Sequence, residues 1–332
     1  MTGAMAGSTD LVRHAEEIVR AAGRAPSHHN AQPWAFRVAP GAVEVWADRS
    51  RGMSVADPAG RQLLLGVGAA VYGVRLALAW LSVRPRVRLH PDRREQDLAA
   101  VVEAAAAGAP TDEEARLYPE LPRRRTVRGP FTDEPLPVPL QVTLAEAAEA
   151  EGAALRWVVG QGERRGLAAL ATTAEREQQA DPAFRAELAR WVGTPEGGRA
   201  GVPVAALGPT AGAGHAAEFP LRDFSGGRRD MAGWDERPEA HPTVVALTTP
   251  GDGPADWLRA GQALHRLLLV ASAAGVCASY LNQPLEIDRL RTQVREELRL
   301  DGHPQLILRL GRPAGPPHAL TPRRPLTEML RH

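Results

Sequence analysis

The chain has 332 residues, 44% of them hydrophobic, and a formal net charge of +1. That is enough for a sizeable core and too balanced for a dedicated nucleic-acid-binding face. The single cysteine, Cys277, excludes an internal disulfide framework, and all 40 basic residues are arginine, which removes lysine Schiff-base chemistry and the usual lysine-bearing phosphate loop.

Taken in chain order, the leading MTGAMAGSTDLVRHAEE has no apolar core of signal-peptide type, so a cytoplasmic protein is expected. Residues 10–23 read as an amphipathic helix stopped at Gly23, with Pro26 just beyond. AFRVAPGAVEVWAD alternates on both sides of Ala39-Pro40-Gly41, a hairpin signal. Residues 60–82 are apolar on nearly every face; Arg61 and Arg75 interrupt them, which favours a buried helix over a membrane span. PRVRLHP follows as a short strand. A proline-rich stretch, 110–139, then leads to a second passage of the same grammar: a strand at 243–249, an apolar helix at 257–281 with Cys277 as a small core residue, and a strand at 303–313 closed by Gly311 and Pro313.

Two α+β halves, 1–112 and 113–332, are therefore expected, each built around a long buried helix. Within the second half, glycine and proline punctuate about 193–233 throughout, so no regular element fits there. A lid packed onto the body is one reading of this segment and plain disorder the other.

RRRTVRGPF places Arg124, Thr126 and Arg128 at alternate positions, which in an extended chain puts two guanidinium forks and a hydroxyl on one side. That row suits a phosphate or another anion; a solvated basic linker is the plainer alternative. TPRRPL holds Arg323 and Arg324 between prolines and has the same two readings. GVGAAVYG and GAGHAA echo a dinucleotide fingerprint, but neither sits at a strand-to-helix turn. No nucleophile elbow of G-x-S-x-G type and no zinc-like Cys/His spacing occurs, so metal ligation is not expected. APSHHNAQPW, residues 25–34, is a polar loop stiffened by Pro26 and Pro33. Adjacent side chains generally point apart, so His28 and His29 are not expected to chelate one metal, and His29 is taken as a bystander.

Pro26-Ser27-x-x-Asn30-x-Gln32-Pro33-Trp34 resembles the P-S-x-x-N-x-Q-P-W signature of the nitroreductase superfamily. Arg124-x-Thr126-x-Arg128 with Phe131 resembles that superfamily's R-x-S-x-R/K segment, and LILRLGRP its C-terminal strand and turn. Each motif appears once and in reversed order, which, with GVPVAALGP, PLRDF, YLNQPLE and TPRRPL, is similar to the Acg-type branch.

The resemblance implies an α+β nitroreductase-like fold in which two halves of one chain mimic the family homodimer, so that no partner subunit is needed to complete the site. It implies one FMN, with Arg124 and Thr126 toward its phosphate and ribityl chain and Arg323 and Arg324 completing the anion site. Arg128 would lie near the pyrimidine edge. Pro26, Ser27 and Asn30 would approach from the other half, and backbone N–H groups near Asn282 and Gln283 would face the reactive ring nitrogen. His28, where the family often has a small residue, would line the pocket in an open role. The implied activity is ping-pong electron transfer from a donor, perhaps NAD(P)H, to a small-molecule acceptor, with no nucleic acid and no membrane involved. The alternatives are a non-catalytic FMN store under a lid and a flavin dehydrogenase or oxidase acting on a biosynthetic intermediate.

Overall fold

The computed structural model describes residues 10–92, 94–193, 199–207, 218, 219, 222, 224, 242–315 and 320–331. Asp10 caps a short 3-10 turn by accepting the Val12 N–H at 3.1 Å, and the chain continues into α1, Ala15–Ala22. Ile18, Val19 and Ala22 bury one stripe of α1. The expected hairpin forms: β1, Trp34–Ala39, pairs antiparallel with β2, Ala42–Ala47, around Pro40-Gly41. Next come α2, Arg61–Trp80; β3, Val83–Leu89; and β4, Leu98–Ala107, giving an antiparallel sheet in the order β1-β2-β4-β3. The alanine-rich strand β4 has no counterpart in the sequence reading. Alanine favours helix, and pairing along both edges with β2 and β3 holds this segment extended.

The proline-rich connection is more ordered than a linker. It carries α3, Asp112–Leu117, whose capping box joins Thr111 to Glu114. Beyond it lie α4, Val138–Glu149; β5, Ala154–Trp157; α5, Gln161–Ala180; α6, Pro182–Trp191; and a small parallel pair, β6, Val192–Gly193, with β7, Val202–Pro203. The second sheet, β5-β8-β10-β9, is again antiparallel and uses β8, Thr243–Thr249; β9, Cys277–Tyr280; and β10, His303–Gly311. Its helices are α7, Pro254–Ala273, and α8, Asp288–Glu297; α9, Leu326–Met329, ends the chain. The segment expected as a lid at about 193–233 lies mostly outside the described residues.

The apolar helix expected over 257–281 is shorter than its hydrophobicity suggests. It stops at Ala273 because Gly275 takes a left-handed φ of +71°, and the N–H groups of Gly275 and Val276 fold back onto the Ser272 and Ala271 carbonyls, each at 2.9 Å. Cys277 therefore sits in an edge strand opposite Gly311, half-buried, with burial pushing its thiol pKa up.

The two sheets are joined through their long helices. By length and composition α2 is apolar enough to cross a membrane, yet 89% of its apolar window is buried inside the fold. Its partner is α7, and the two cross at glycines. A Cβ on Gly68 would stand 2.2 Å from the Leu258 carbonyl oxygen, and one on Gly261 would stand 2.0 Å from that of Leu65. Beside the crossing, His265 Nδ1–H donates to the Ala69 carbonyl at 2.6 Å, and its ring meets Tyr72 edge-on. Polar groups surround the contact: Arg75 donates to Gln262 at 3.0 Å and pairs with Glu151, which also pairs with Arg266 at 3.1 Å. The C-terminal segment then returns to the first sheet, where Leu330 bridges Phe36 and Arg331 N–H donates to the Phe36 carbonyl at 2.7 Å.

The crossing glycine and a glycine with open space around it should respond oppositely to a methyl group. Gly261→Ala forces a methyl group into a backbone oxygen and should cost about 3 kcal/mol in urea unfolding. Gly162→Ala, where nothing lies within 4 Å of the added atom, should be neutral or stabilising by up to about 1 kcal/mol. His265 gives a pH signature. Burial, reinforced by the Arg124 charge and opposed by the Ala69 carbonyl, lowers its pKa to about 3. From pH 6.5 down toward 3 the unfolded chain binds a proton that the native chain refuses, so stability should fall with pH by as much as about 1.4 kcal/mol per unit. Unfolding free energies measured between pH 7.5 and 4.5 should show that slope in the wild type and a flatter one in His265→Gln.

Candidate functional site

The APSHHNAQPW loop connects α1 to β1, and its backbone is unusual: His29, Asn30 and Gln32 have φ of +43°, +57° and +53°. Left-handed residues other than glycine are uncommon, and three in one loop require local bonds to hold them. The Ser27 hydroxyl accepts the Gln32 N–H at 2.9 Å and closes the turn. The Asn30 amide donates to the Gly201 and Pro322 carbonyls at 3.0 and 2.9 Å, and its oxygen accepts from Arg323 at 3.0 Å. Gln32 donates to the Arg199 carbonyl at 3.0 Å and accepts the Arg324 N–H at 2.9 Å. Pro26, Ser27, His28 and Asn30 all face a cavity of about 120 Å³. Gly66 of α2 lets the loop seat closely, since a Cβ there would lie 3.2 Å from Ser27 Cβ.

Arg124, Thr126 and Arg128 line the same cavity. Thr126 bridges Ala278 of β9 and the Val127 N–H donates to the Ala278 carbonyl at 3.0 Å, which keeps the segment extended and turns Val127 into the core. The alternation read in the sequence is thus the one that forms. Arg323 completes this end, its guanidinium within reach of Thr321 Oγ1 at 2.8 Å and the Arg24 carbonyl at 3.4 Å. Arg124 reaches the same carbonyl at 3.3 Å. The Nε of each is buried without a hydrogen-bond partner, and among the described residues neither guanidinium has a carboxylate within 4.0 Å. Burial, then repulsion from Arg124 and Arg24, lowers the Arg323 pKa to about 9; burial also lowers that of Arg124. A smaller cavity continues from this end and adds Arg24 and Arg125 to its lining. The two cavities thus share a cluster of arginines.

Arg324 does not share that cluster, contrary to the sequence expectation. Its guanidinium donates to the Gln32 and Trp34 carbonyls, both at 3.0 Å, and to the Glu328 carbonyl at 2.6 Å, with Asp48 at 3.7 Å. It clamps the C-terminal segment to β1. Asn282 lines the cavity, its side-chain oxygen accepting the Ile307 N–H at 2.9 Å, whereas Gln283 is buried beneath the turn and does not line it.

His29, expected as a bystander, also lines the cavity. The left-handed turn brings both imidazoles to one side, 4.1 Å apart between ring centres, and Phe224 meets His29 edge-on at 5.8 Å. Burial pushes the His29 pKa well below the ordinary histidine value. Arg128, whose pKa burial lowers to about 10, lies over Phe224 at 5.5 Å and donates to the Ala206 carbonyl at 3.1 Å.

Behind His28 stands Glu286, which the sequence reading missed. Its Oε2 accepts from Arg222 and from Gln178 of α5, each at 2.7 Å, while Oε1 lies 3.4 Å from His28 Nε2. Burial works to raise the Glu286 pKa, but Arg222 and His28 overcome it and hold the carboxyl at about 2. Arg61, which interrupts the apolar run of α2, secures this turn by donating to the Leu285 and Gln305 carbonyls at 3.0 and 2.6 Å. Arg222, Phe224 and Glu286 lie within the quoted segments PLRDF and YLNQPLE, but nothing in their local spacing marks them out.

The nitroreductase family model matches residues 121–312, more than half of the chain. A Mycobacterium tuberculosis protein named "Putative NAD(P)H nitroreductase Rv3131" is 31% identical over 316 residues, covering 94% of this chain and 90% of its own. Another from that organism, "Putative NAD(P)H nitroreductase acg", is 29% identical over 331 residues, covering 97% and 96%. Among solved structures, a nitroreductase with bound FMN from Desulfitobacterium hafniense superposes with a TM-score of 0.40 at 13% identity, over 67% of this chain and 98% of that one. With its family segment spanning the arginine motif through β10, and relatives matching nearly end to end, the chain belongs to the nitroreductase family and is of the Acg type.

Proposed function

We propose that the protein is an FMN-dependent oxidoreductase that passes electrons from a nicotinamide donor to a small-molecule acceptor. The observation that carries this reading is the buried pair Arg124 and Arg323, without a carboxylate within 4.0 Å among the described residues, at one end of a cavity whose walls also include Leu65, Leu264, Leu306, Tyr280 and the two histidines. A long ligand with an anion at one end and a flat, partly apolar ring at the other fits this lining, and FMN is such a ligand. The names of the mycobacterial relatives support NAD(P)H as donor.

In this reading Arg124 and Arg323 hold the phosphate through charge-assisted bonds, with Thr126 supplying a hydroxyl and Asn30 orienting Arg323. Bound FMN supplies two-electron hydride transfer. Arg128, fixed by the Ala206 carbonyl, would offer a cation beside the ring, which would favour its reduced, more negative form. Asn282 braces the turn beside the cavity. The lining comes from both halves of one chain, so we propose that they stand in for the two subunits of the family homodimer and that no partner chain completes the site.

A second reading, an FMN store closed by a lid, draws on the described fragments of 199–224. Gly201 N–H donates to the Asn30 carbonyl at 3.2 Å, Ala206 accepts from Arg128, and Phe224 covers His29. Anaerobic stopped-flow mixing with NADH and NADPH separates the two. Rapid bleaching of the flavin is expected, and no bleaching with either donor would favour storage. Purified protein should be yellow with stoichiometric FMN; a colourless protein that takes up no added FMN rejects both readings.

The neighbouring arginines should behave differently. Arg323→Gln should weaken FMN binding by at least about tenfold, as loss of a charged hydrogen bond implies, without lowering the melting temperature of the flavin-free protein, because it removes a repulsive charge. Arg324→Gln should lower that melting temperature by several degrees by orphaning three backbone carbonyls. Fluorescence titration with FMN and thermal melts check both.

A further inference from the structure

The arginine end of the main cavity continues into the smaller one, and Arg124, Thr126, Thr321 and Arg323 line both. Arg24, Arg125 and Leu320 line the smaller cavity and not the main one. The smaller volume is about 20 Å³ beside about 120 Å³, room for one small group at the end of a long ligand and not for a second ring system. Leu320 is 54% exposed, so this end is open to solvent.

Arg24, which follows α1, joins the cluster's hydrogen bonding through its backbone: its carbonyl accepts from Arg124 at 3.3 Å and from Arg323 at 3.4 Å. Among the described residues the Arg24 guanidinium makes no hydrogen bond or ion pair, and its charge repels that of Arg323. Arg124 is only 7% exposed, and the Nε of Arg124 and that of Arg323 are buried without a partner. Three guanidinium groups, Arg24, Arg124 and Arg323, therefore stand together with no carboxylate within 4.0 Å among the described residues. One phosphate monoester brings roughly two negative charges at neutral pH. That leaves positive charge over, and Arg24 carries it on the wall that the main cavity does not reach. A second anion between Arg24 and Arg323 relieves their repulsion.

We propose that the smaller cavity is a second oxyanion subsite, filled while the main cavity holds FMN. It takes a tetrahedral oxyanion of phosphate size, either free in solution or as the further phosphoryl group of a dinucleotide flavin such as FAD. Arg124, Arg323 and Thr321, at the junction of the two cavities, serve both anions; Arg24 serves the second through charge-assisted hydrogen bonds. The occupant of the main cavity rests on the FMN reading above, whereas the subsite is defined by the arginines themselves.

The test is equilibrium dialysis of radiolabelled inorganic phosphate against FMN-loaded, FAD-loaded and flavin-free protein. FMN-loaded protein should take up one phosphate per chain and flavin-free protein two. Arg24→Gln should weaken uptake by the FMN-loaded protein about tenfold, as loss of a charged hydrogen bond implies. Leu320→Glu, which sets a carboxylate at an exposed position of the lining, should weaken it as well. The FAD-loaded protein separates the sources. No uptake there, beside uptake with FMN, means that the further phosphoryl group of FAD fills the subsite; uptake of one phosphate, or failure of FAD to bind, means that a free oxyanion does.

FMN-loaded protein that takes up no phosphate overturns the proposal. So does an Arg24→Gln protein that melts earlier yet takes up phosphate as well as wild type, the behaviour of an arginine that only complements the C-terminal end of α1. If no FMN binds, the functional reading falls alone: flavin-free protein that still binds two phosphates keeps the subsite, and one or none removes it.

Discussion

The close crossing of α2 over α7 is the constraint on which the rest of the molecule depends. With Gly68 and Gly261 at the contact, each helix backbone lies where the other's side chains would otherwise stand. This approach puts Gln62, Leu65 and Gly66 of one helix and Leu264 of the other along a single cavity. It also seals the crossing with His265, held neutral against the Ala69 carbonyl. A wider separation would leave the motif loop at 25–34 and the arginine segment at 124–128 on two unconnected surfaces.

The cavity joins two kinds of charge, treated differently. At one end Arg124 and Arg323 repel one another, and among the described residues neither guanidinium has a carboxylate within 4.0 Å. At the other, Arg222 and Gln178 both bond Glu286 Oε2, while Oε1 lies 3.4 Å from His28 Nε2. Arg324, adjacent in sequence to Arg323, belongs to neither: three backbone carbonyls take its donors, and it fastens the returning C-terminal segment to β1.

Much of this arrangement is legible in local pattern. The row Arg124, Thr126, Arg128 turns to one side because an extended chain alternates its side chains, and Val127 between them faces the core. The hairpin at Pro40-Gly41 and the buried character of α2 follow from alternation and from apolar length. Where local pattern misleads, a non-local contact has overridden it. Strand β4 is alanine-rich and is held extended by two neighbours; α7 ends early because a left-handed glycine lets the next residues join β10; and the two histidines share a face because the loop between Ser27 and Gln32 is closed into a left-handed turn.

What the chain's own order fixes is which groups are available: arginine as the only strong cation, a polar loop between two prolines, an alternating Arg-Thr-Arg row, and two long apolar helices. These are properties of short segments, and backbone periodicity translates them directly. Tertiary structure alone decided which of those groups meet. Arg323 rather than Arg324 reaches Asn30, and Glu286 rather than a nearer acid backs His28. Those partners are separated by 293 and by 258 residues of chain, counting from 30 to 323 and from 28 to 286. No local periodicity carries information over such distances. The packing of two glycine-faced helices and the return of the C-terminal segment bring these groups together.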